Sequence, residues 1–509
     1  MTGAGKSEVL KLLINSYIEL NKLEPYCSTV LIEPHGDLAE EVVKLKSNAF
    51  SKELIYINPY LNDYFIPTIN PFELVGEKTN QIIDVTTQEL VNVFKEILDT
   101  GFSINMEALL YPTIATLLNA NNITNPIGLE TLQRFMDDNN NKDLIALGLK
   151  SSNQSHREFF KNGFNNSNLS TSKLALYAKI QSLLNSHIFT KLITGRSTIN
   201  LEKELNSKKT IIFNLSKGLL GVETSKAYGK FIVALINSIV LKRVKQPKDK
   251  RVPIHLYIDE AQNYISNSIE TTLTELRKYG LHLTFAQQIL GQDSDTQLEN
   301  IMLSNTNIKI TGSNSLYTLT KLSNETQTPL ENLQALKTGE FHIKIAKRES
   351  FKVKVSDKLI SNSYMSEKEF ELIKRLQLRN YYKPIDENHD TRKIHKRLDK
   401  EISNLYDSFR TKESSKEEPK STSKLKSFFN ATAKTYNFIK DIYTDKKEDQ
   451  KEETNNGQKK EEATQEQEPQ QTYEQPQEEP STNQEQKTEK EEQSSSQKFK
   501  SKYPPPPED

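Results

Sequence analysis

The first residues of the chain, Thr2-Gly3-Ala4-Gly5-Lys6-Ser7, have the types and spacing of a phosphate-binding loop. They match the second half of the pattern G-x-x-x-x-G-K-[ST], in which backbone N–H groups and a lysine hold phosphate oxygens. The first glycine of that pattern, and the strand that leads into the loop, would precede Met1. A short Gly/Ser run at a chain end can also be a plain terminus. The fragment therefore needs a partner elsewhere in the sequence.

Asp259 and Glu260 supply that partner, because they end the apolar run "IHLYI", which predicts a buried strand. The carboxyl ends of parallel strands face bound ligands. An aspartate there can hold the water shell of Mg²⁺ opposite the loop serine, and a glutamate can orient and deprotonate water. A strand followed by a polar turn is the alternative. Together the two segments predict an ATP and Mg²⁺ site, in which Lys6 reaches the β- and γ-phosphates and Ser7 and Asp259 hold the metal.

Strand patterns that alternate with helical patterns would position these residues. Lys6 to Leu23 predicts a buried helix, and "STVLIEPHGDL", "KELIYINPY", "KKTIIFNLSKG" and "LHLTFAQQ" predict strands. "TSKAYGKFIVALINSIVLKRV" and "SIETTLTELRKYG" predict helices, the second stopped by Gly280. "NTNIKITGS" predicts a further strand and "EFHIKIAKRESFKVKV" a hairpin. The pattern favours an α/β fold, a RecA-like P-loop NTPase core whose mostly parallel sheet carries helices on both faces.

Changes of composition divide the chain into five segments. Helical spacing with Asn-rich breaks fills the second segment, and the last is too rich in Lys, Glu, Gln and Pro to bury a core. Within it, residues 424–443 keep aromatic residues at helical spacing, which suits a partner-docking or membrane-surface helix or a transient helix. The expected segments are a first core part with the P-loop (1–71), an all-α insertion (72–195), a second core part (196–357), a basic helical extension (358–410) and a disordered acidic tail (411–509).

Composition indicates the cellular compartment of the protein and the class of partner it could bind. Cys27 is the only cysteine in the sequence, so the chain forms no internal disulfide, and a reducing, cytoplasmic setting is expected. Of 68 basic and 68 acidic residues, 18 and 24 lie in residues 401–509. The body is therefore mildly basic, which is compatible with a polyanionic partner. No apolar run approaches the length of a membrane span.

Several motifs, in order, resemble those of the HerA/FtsK superfamily, and most closely those of the TraG/TraD-type coupling ATPases of type IV secretion and conjugation. The resemblance covers roughly residues 1–350. Where the family often has "DPHGD", this chain has Glu33 in place of the aspartate. The helical segment resembles the all-α domain that coupling proteins insert into their motor core. The motifs are "EPHGDLAEE", "IIFNLSKGLLG", "LYIDEAQNY", "ELRKYGLHLTFAQQILGQ" and "LKTGEFHI".

The resemblance implies an ATPase that moves DNA. Gln287 would be the polar sensor of the γ-phosphate, although Gln288 adjoins it, and Arg277 would be an arginine finger acting on a neighbouring subunit or a plain surface arginine. The expected partners are DNA, other copies in a hexamer, type IV secretion channel components and a relaxase. The inner face of the cell membrane would be reached through a preceding segment or a partner. The expected nucleotide-binding residues are Thr2, Gly3, Ala4, Gly5, Lys6, Ser7 and Glu8.

The half-motif at the start predicts that the natural chain is longer, or that its start is miscalled or its gene decayed. In RecA-like folds, the strand before the loop lies beside the strand that carries the acidic pair. Without it, two strands would lose their ladder partners and an apolar slot would open. Three functional interpretations stay open: a hexameric secretion ATPase, a soluble HerA-like DNA translocase, and an inactive nucleotide-binding remnant. His35 and His282 are expected to be structural, since no Cys/His cluster accompanies them.

Overall fold

The computed structural model describes residues 5–49, 51–74, 78–98, 102–121, 126–264, 275–288, 290, 296–355, 364–386 and 390–413. It confirms the α/β class with a parallel, RecA-like core. No helix in the described ranges is long and apolar enough to cross a membrane. The strands are β1 (Ser28–Glu33), β2 (Leu54–Ile57), β3 (Phe65–Ile66), β4 (Thr210–Asn214), β5 (Ile254–Asp259), β6 (Leu281–Ala286), β7 (Ile308–Thr311), β8 (Glu340–Ile345), β9 (Phe351–Lys354) and β10 (Lys383–Pro384).

The central sheet has five parallel strands in the order β2-β4-β1-β5-β6. All residues of β1, β2, β4 and β5 are buried, as expected for strands with a helical layer on each face. The expectation of an open slot is wrong. β6 pairs directly with β5 from Ile254↔Leu281 to Asp259↔Ala286. A buried strand edge without hydrogen bonds is costly, and the direct pairing leaves none between β5 and β6.

Helices in the first half of the chain pack on both faces of the sheet. The predicted first helix and the helical character of residues 72–195 are both observed. The helices are α1 (Lys6–Leu23), α2 (Asp37–Val43), α3 (Asn80–Ile97), α4 (Ile104–Ala120), α5 (Leu129–Phe135), α6 (Lys142–Gly148), α7 (Gln154–Glu158), α8 (Ser170–Leu184), α9 (His187–Ile193), α10 (Leu201–Leu205), α11 (Lys217–Leu220) and α12 (Val222–Leu241).

Alternating strand residues separate two cores, one on each face of the sheet. Val30, Ile211 and Ile258 point into the larger core with α3, α4 and α12. Leu31 and Tyr257 point into the smaller core, with Leu10 and Ile14 of α1. The predicted helices on both faces are therefore present. The helical segment shares the larger core with the sheet.

The second half of the chain adds the antiparallel sheet β7-β8-β9, which contains the predicted hairpin. Its helices are α13 (Thr296–Asn305), α14 (Leu316–Thr326), α15 (Leu330–Gln334), α16 (Glu367–Tyr381) and α17 (Thr391–Glu413). The described end of the predicted helix at 268–280 is a 3₁₀ turn, Leu276–Tyr279, and Gly280 ends it at φ 90°, as predicted for the stop. The tail beyond Glu413, including 424–443, lies outside the described residues.

Side chains from α16 and from the residues after it form hydrogen bonds with the backbone groups at the unpaired edge of β2. Gln377 accepts a hydrogen bond from the N–H of Tyr56 at 2.8 Å and donates to the carbonyl of Leu54 at 3.0 Å. The Tyr382 hydroxyl donates to the Tyr56 carbonyl and accepts from the Asn58 N–H. These bonds occupy groups that would otherwise be free to pair with another strand. Residues more than 300 positions away thus fasten the first part of the core.

Candidate nucleotide site

The phosphate loop ends where α1 begins. Gly5 is the residue before the helix and has φ 90°, a conformation in which glycine has no steric penalty. A Cβ on Gly5 would lie 3.4 Å from Gly339 and from the ring of Phe341, so the loop end rests on the start of β8. Lys6 and Ser7 form the first turn of α1, with Glu8 beside them. Of the predicted phosphate-binding residues, Thr2, Gly3 and Ala4 lie outside the described residues.

Lys6 joins the acidic pair, although 253 residues separate it from Asp259 in the chain. Its Nζ lies 2.7 Å from Asp259 Oδ1 and donates to Glu260 Oε1. The two acidic residues are only 3% and 5% exposed. Asp259 Oδ1 is ion-paired without hydrogen-bond geometry, so this buried oxygen has no hydrogen-bond donor among the described residues. The two segments singled out by the sequence therefore form one cluster at the carboxyl end of β5.

The carboxylate of Glu260 is held by three side chains. Besides Lys6, Gln262 Nε2 donates to Oε2 at 2.8 Å and Gln288 Nε2 donates to Oε1 at 2.9 Å. Burial acts to raise the pKa of Glu260, but the bond and charge of Lys6, with the two amides, lower it overall. The backbone of Glu260 is left-handed, with φ 47° and ψ 55°, which is uncommon for a residue with a side chain. Such a conformation persists only where its surroundings hold it.

Glu33 ends β1 beside Asp259 and is 1% exposed. Its Oε1 accepts from the N–H of His35 at 2.6 Å, and its Oε2 accepts from the N–H of Gly36 at 2.5 Å. Burial raises the pKa of Glu33, the two amide bonds lower it in part, and the nearby Asp259 charge raises it further. The side chain thus shapes the turn after β1 and adds a carboxyl group to the same end of the sheet.

The structure places the other two predicted site residues, Gln287 and Arg277, at different distances from the acidic pair. Gln287 and Gln288 both follow β6, and Gln288 is the one whose amide contacts Glu260; Gln287 is half-buried. Arg277 is exposed on the turn before β6. Because β6 runs parallel to β5, Arg277 lies at the amino end of the sheet, roughly 20 Å along the strand from the acidic pair. The fold does not bring Arg277 to the site of its own chain.

Sequence reasoning missed three contacts at this site. Gln262 and Gln288 bind Glu260, and Lys217 Nζ donates to Asn263 Oδ1 at 2.8 Å. Each of these residues follows the carboxyl end of a parallel strand, and that position was the available signal. His282 was expected to be structural, and it stacks on His255 with ring centroids 4.9 Å apart. His35 is exposed.

The cluster fits a nucleotide with Mg²⁺. A helix N-terminus and a lysine face buried carboxylates, and one buried oxygen of Asp259 has no hydrogen-bond donor within the described ranges. Among the described residues, no group of three or more His, Cys, Asp or Glu has the arrangement of a metal site. Mg²⁺ commonly binds through one or two protein oxygens, with water and phosphate completing its shell. The described residues therefore suit a metal that arrives with a nucleotide.

Several known proteins are similar to parts of this chain. The family model of the helicase HerA central domain matches residues 1–239, and no curated protein matches the chain. Among solved structures, unbound TrwBdeltaN70, a bacterial conjugative coupling protein, aligns at 14% identity and a TM-score of 0.48 over 72% of this chain and 85% of its own. TrwB in complex with ADP and Mg²⁺ aligns at 14% identity and a TM-score of 0.47, over 72% of this chain and 85% of its own. VirB4 of Thermoanaerobacter pseudethanolicus aligns at 13% identity and a TM-score of 0.47, over 72% of this chain and 89% of its own. Residues 1–239, a little under half of the chain, thus correspond to the central domain of the helicase HerA family.

Proposed function

We propose that the chain is an ATP-driven motor that moves DNA, a coupling ATPase that delivers DNA or nucleoprotein to a type IV secretion channel from the cytoplasmic side. The observation that carries the ATPase part is the contact of Lys6 with Asp259 and Glu260 at the carboxyl end of β5. The secretion role rests on the motif resemblance. A soluble HerA-like DNA translocase is the second candidate, favoured by the HerA family match.

Each predicted site residue has a chemical task in this proposal. The loop amides and Lys6 bind the phosphates, while Ser7 and Asp259 hold Mg²⁺, and Glu8 lies beside them in the first turn. The metal neutralises charge on the phosphate oxygens when bound. Glu260 accepts a proton from the attacking water, and Gln287 or Gln288 reports the state of the γ-phosphate. Gln288 already bonds Glu260, which favours it for that link.

The ion pair suggests how ATP switches the base on. Without nucleotide, the ammonium of Lys6 lowers the pKa of Glu260, and a carboxylate with a low pKa accepts protons poorly. Phosphate oxygens of ATP compete for the same ammonium group. When Lys6 turns to them, the pKa of Glu260 rises, because burial then acts with less opposition. Glu260 becomes a better base only when substrate is present.

Turnover measured with and without DNA tests this function. Wild-type protein should hydrolyse ATP with Mg²⁺, and DNA should raise the rate. Lys6→Ala should abolish ATP binding, because the phosphates lose their main cation. Lys22→Ala is the matched control, since this exposed lysine of α1 pairs with Glu19 of the same helix. ATP turnover that Lys6→Ala leaves intact would refute the site, and wild-type binding without turnover would favour the inactive remnant.

A hexamer with nucleotide between neighbours would give Arg277 its role. Arg277 is exposed and far from its own Glu260 along β6, so it can act only on another copy. Mixed Arg277→Ala and Lys6→Ala subunits should then regain part of the turnover that each lacks alone. If the mixture stays inactive while both variants assemble, Arg277 is a plain surface residue. Translocation of DNA by protein free of any secretion partner would favour the HerA-like candidate.

A further inference from the structure

Lys217 crosses the carboxyl end of the sheet. It begins α11 directly after β4, and its backbone N–H donates to the Pro34 carbonyl at 2.8 Å, beyond the end of β1. Its Nζ donates to Asn263 Oδ1 at 2.8 Å, beyond the end of β5. Because β1 lies between β4 and β5, the lysine side chain bridges two strands that are not neighbours.

Asn263 connects Lys217 to Glu260 through hydrogen bonds. Its side-chain Nδ2 donates to the Glu260 carbonyl at 2.8 Å, and its backbone N–H donates to the same oxygen at 3.0 Å. These two bonds fix the peptide group that follows the left-handed φ of 47° at Glu260. An amide whose oxygen is held by an ammonium group must present its nitrogen to Glu260, so Lys217 sets the orientation of the Asn263 side chain.

We propose that Lys217 is a positioning residue for Glu260, which it holds in the left-handed conformation through the side chain of Asn263. The inference rests on the proposed function, in which Glu260 activates water. In this left-handed conformation the carboxylate accepts hydrogen bonds from Lys6 and Gln288. A relaxed backbone would move that carboxylate, and displacements of about 1 Å can cost about 100-fold in rate.

The chemistry of the lysine fits this task. Its reach spans β1, and it is half-buried. Burial and the charge of Lys226 lower the pKa of Lys217, while the charge of Glu260 raises it, so the amine also senses the charge of the residue that it positions. Asn263 is buried, and without Lys217 its side-chain oxygen would lose its hydrogen bond from Nζ.

Kinetics of three lysine variants test the proposal. Lys217→Met should lower kcat by about 10- to 100-fold and leave the KM for ATP within about twofold, because Lys6 still binds the phosphates. Lys217→Arg, which can still donate to Asn263, should recover most of the rate. Lys226→Met removes a half-buried charge nearby without touching Asn263 and should change little. An unchanged kcat in Lys217→Met, or a loss seen mainly in KM, would overturn the assignment.

Two further measurements keep the outcome decisive. If Lys217 acts through Asn263, the losses of Lys217→Met and Asn263→Ala should fail to multiply in the double variant. A crystal structure of the Lys217→Met protein should show Glu260 with negative φ or its bond to Asn263 Nδ2 broken. A retained left-handed Glu260 with both bonds would overturn the proposal, whatever the rate. Wild-type protein without Lys6-dependent turnover would refute the proposed function instead, and the crystal structure would then decide this inference alone.

Discussion

The two ends of the parallel sheet both bury charge, but they do so in different ways. At the amino end, Arg243 is 1% exposed and donates to the carbonyl oxygens of Val252 and Tyr279 and to the side-chain oxygen of Asn206. At the carboxyl end, Asp259 and Glu260 meet Lys6, and Glu33 adds a further buried carboxyl group. At the amino end, neutral acceptors bond the two Nη groups of the cation, whereas the carboxyl end gathers acids around one lysine.

The contrast separates stabilising charge from chemically active charge. Neutral partners fix Arg243 in one arrangement, and burial lowers its pKa to about 10, partly opposed by Glu202. The lysine at the carboxyl end can exchange its carboxylate partners for phosphates, so its charge is available for binding. We expect substitutions at the carboxyl end to change activity more than stability, and those at the amino end to do the reverse. The following predictions are ordered by the size of the expected effect.

Glu260→Gln should give the largest effect. The amide cannot accept the proton of the attacking water, so turnover should fall by about 100- to 10,000-fold. ATP should still bind, because Lys6 loses a competing carboxylate and gains freedom to meet the phosphates. Paired ATP-binding and turnover measurements check this, with the partly exposed surface residue Glu40 changed to Gln as control. Near-normal hydrolysis would remove Glu260 from the chemistry and erase the contrast.

Arg243→Met should instead destabilise the protein by about 2–4 kcal/mol, because three partly buried oxygens lose their donor. Turnover per folded molecule should stay within about twofold of wild type, since the residue lies at the far end of the sheet. Urea unfolding and active-site-normalised rates measure the two quantities. Lys245→Met, an exposed change in the same turn, is the control. A rate loss without a stability loss would reverse the proposed division between the two ends.

Much of this arrangement was predictable from local sequence. The runs at β1, β4, β5 and β6 are bounded by turn residues, and the Lys6 and Asp259-Glu260 motifs name the site directly. What local sequence could not supply depends on pairing across the fold. Direct pairing of β6 with β5 closes the expected slot. Which of the two adjacent glutamines reaches Glu260 depends on the path of the chain after β6, which brings Gln288 to it.

Contacts between distant segments were equally out of reach. The strand order β4-β1-β5 places the ends of β4 and β5 within reach of one lysine side chain, so that Lys217 meets Asn263 across β1. The local sequence "NLSKG" does not specify that strand order. Gln377 satisfies β2 through a helix that follows it by more than 300 residues. Such long-range choices follow from which buried groups still need partners once the strands have assembled.

A pH-dependent prediction probes the amino end. His255 stacks between Tyr17 and His282, and its Nε2 has no hydrogen-bond partner in the described part of the chain. Burial, with a smaller contribution from His282, lowers the pKa of His255 to about 3. Between that value and the ordinary 6.5, the unfolded chain binds a proton that the folded chain does not. Stability should therefore fall as the pH drops.

His255→Phe keeps the stacking and removes the titrating group, so it should flatten this acid dependence. The expected difference between wild type and variant is about 2–3 kcal/mol on going from about pH 7 to pH 4.5. Urea unfolding across that range measures it, and His187→Phe, at an exposed position of α9, is the control. Equal slopes for the wild type and His255→Phe would show that His255 is protonated or solvated in the folded protein.

At the carboxyl end, Glu33 should change the free energy of unfolding with pH in the opposite direction to His255. This is the smallest of the expected effects. Burial raises its pKa, the bonds from His35 and Gly36 offset part of that rise, and Asp259 raises it again. The folded chain therefore keeps a proton at Glu33 that the unfolded chain has already released above about pH 4.5. The free energy of unfolding contributed by Glu33 is present below that pH and is lost as the pH rises through the folded pKa.

Glu33→Gln removes this titration but also replaces an acceptor by a donor beside two N–H groups, so its absolute stability is not the informative quantity. The informative quantity is the slope of unfolding free energy against pH above about pH 4.5, which should be less negative in Glu33→Gln than in the wild type. Adding Asp259→Asn should weaken the slope of the wild-type background as well, since part of the rise in pKa comes from the Asp259 charge. If Asp259→Asn leaves the slope at Glu33 unchanged, the two carboxyl groups do not interact, and the carboxyl end does not hold the concentrated acid charge that distinguishes it from the end at Arg243.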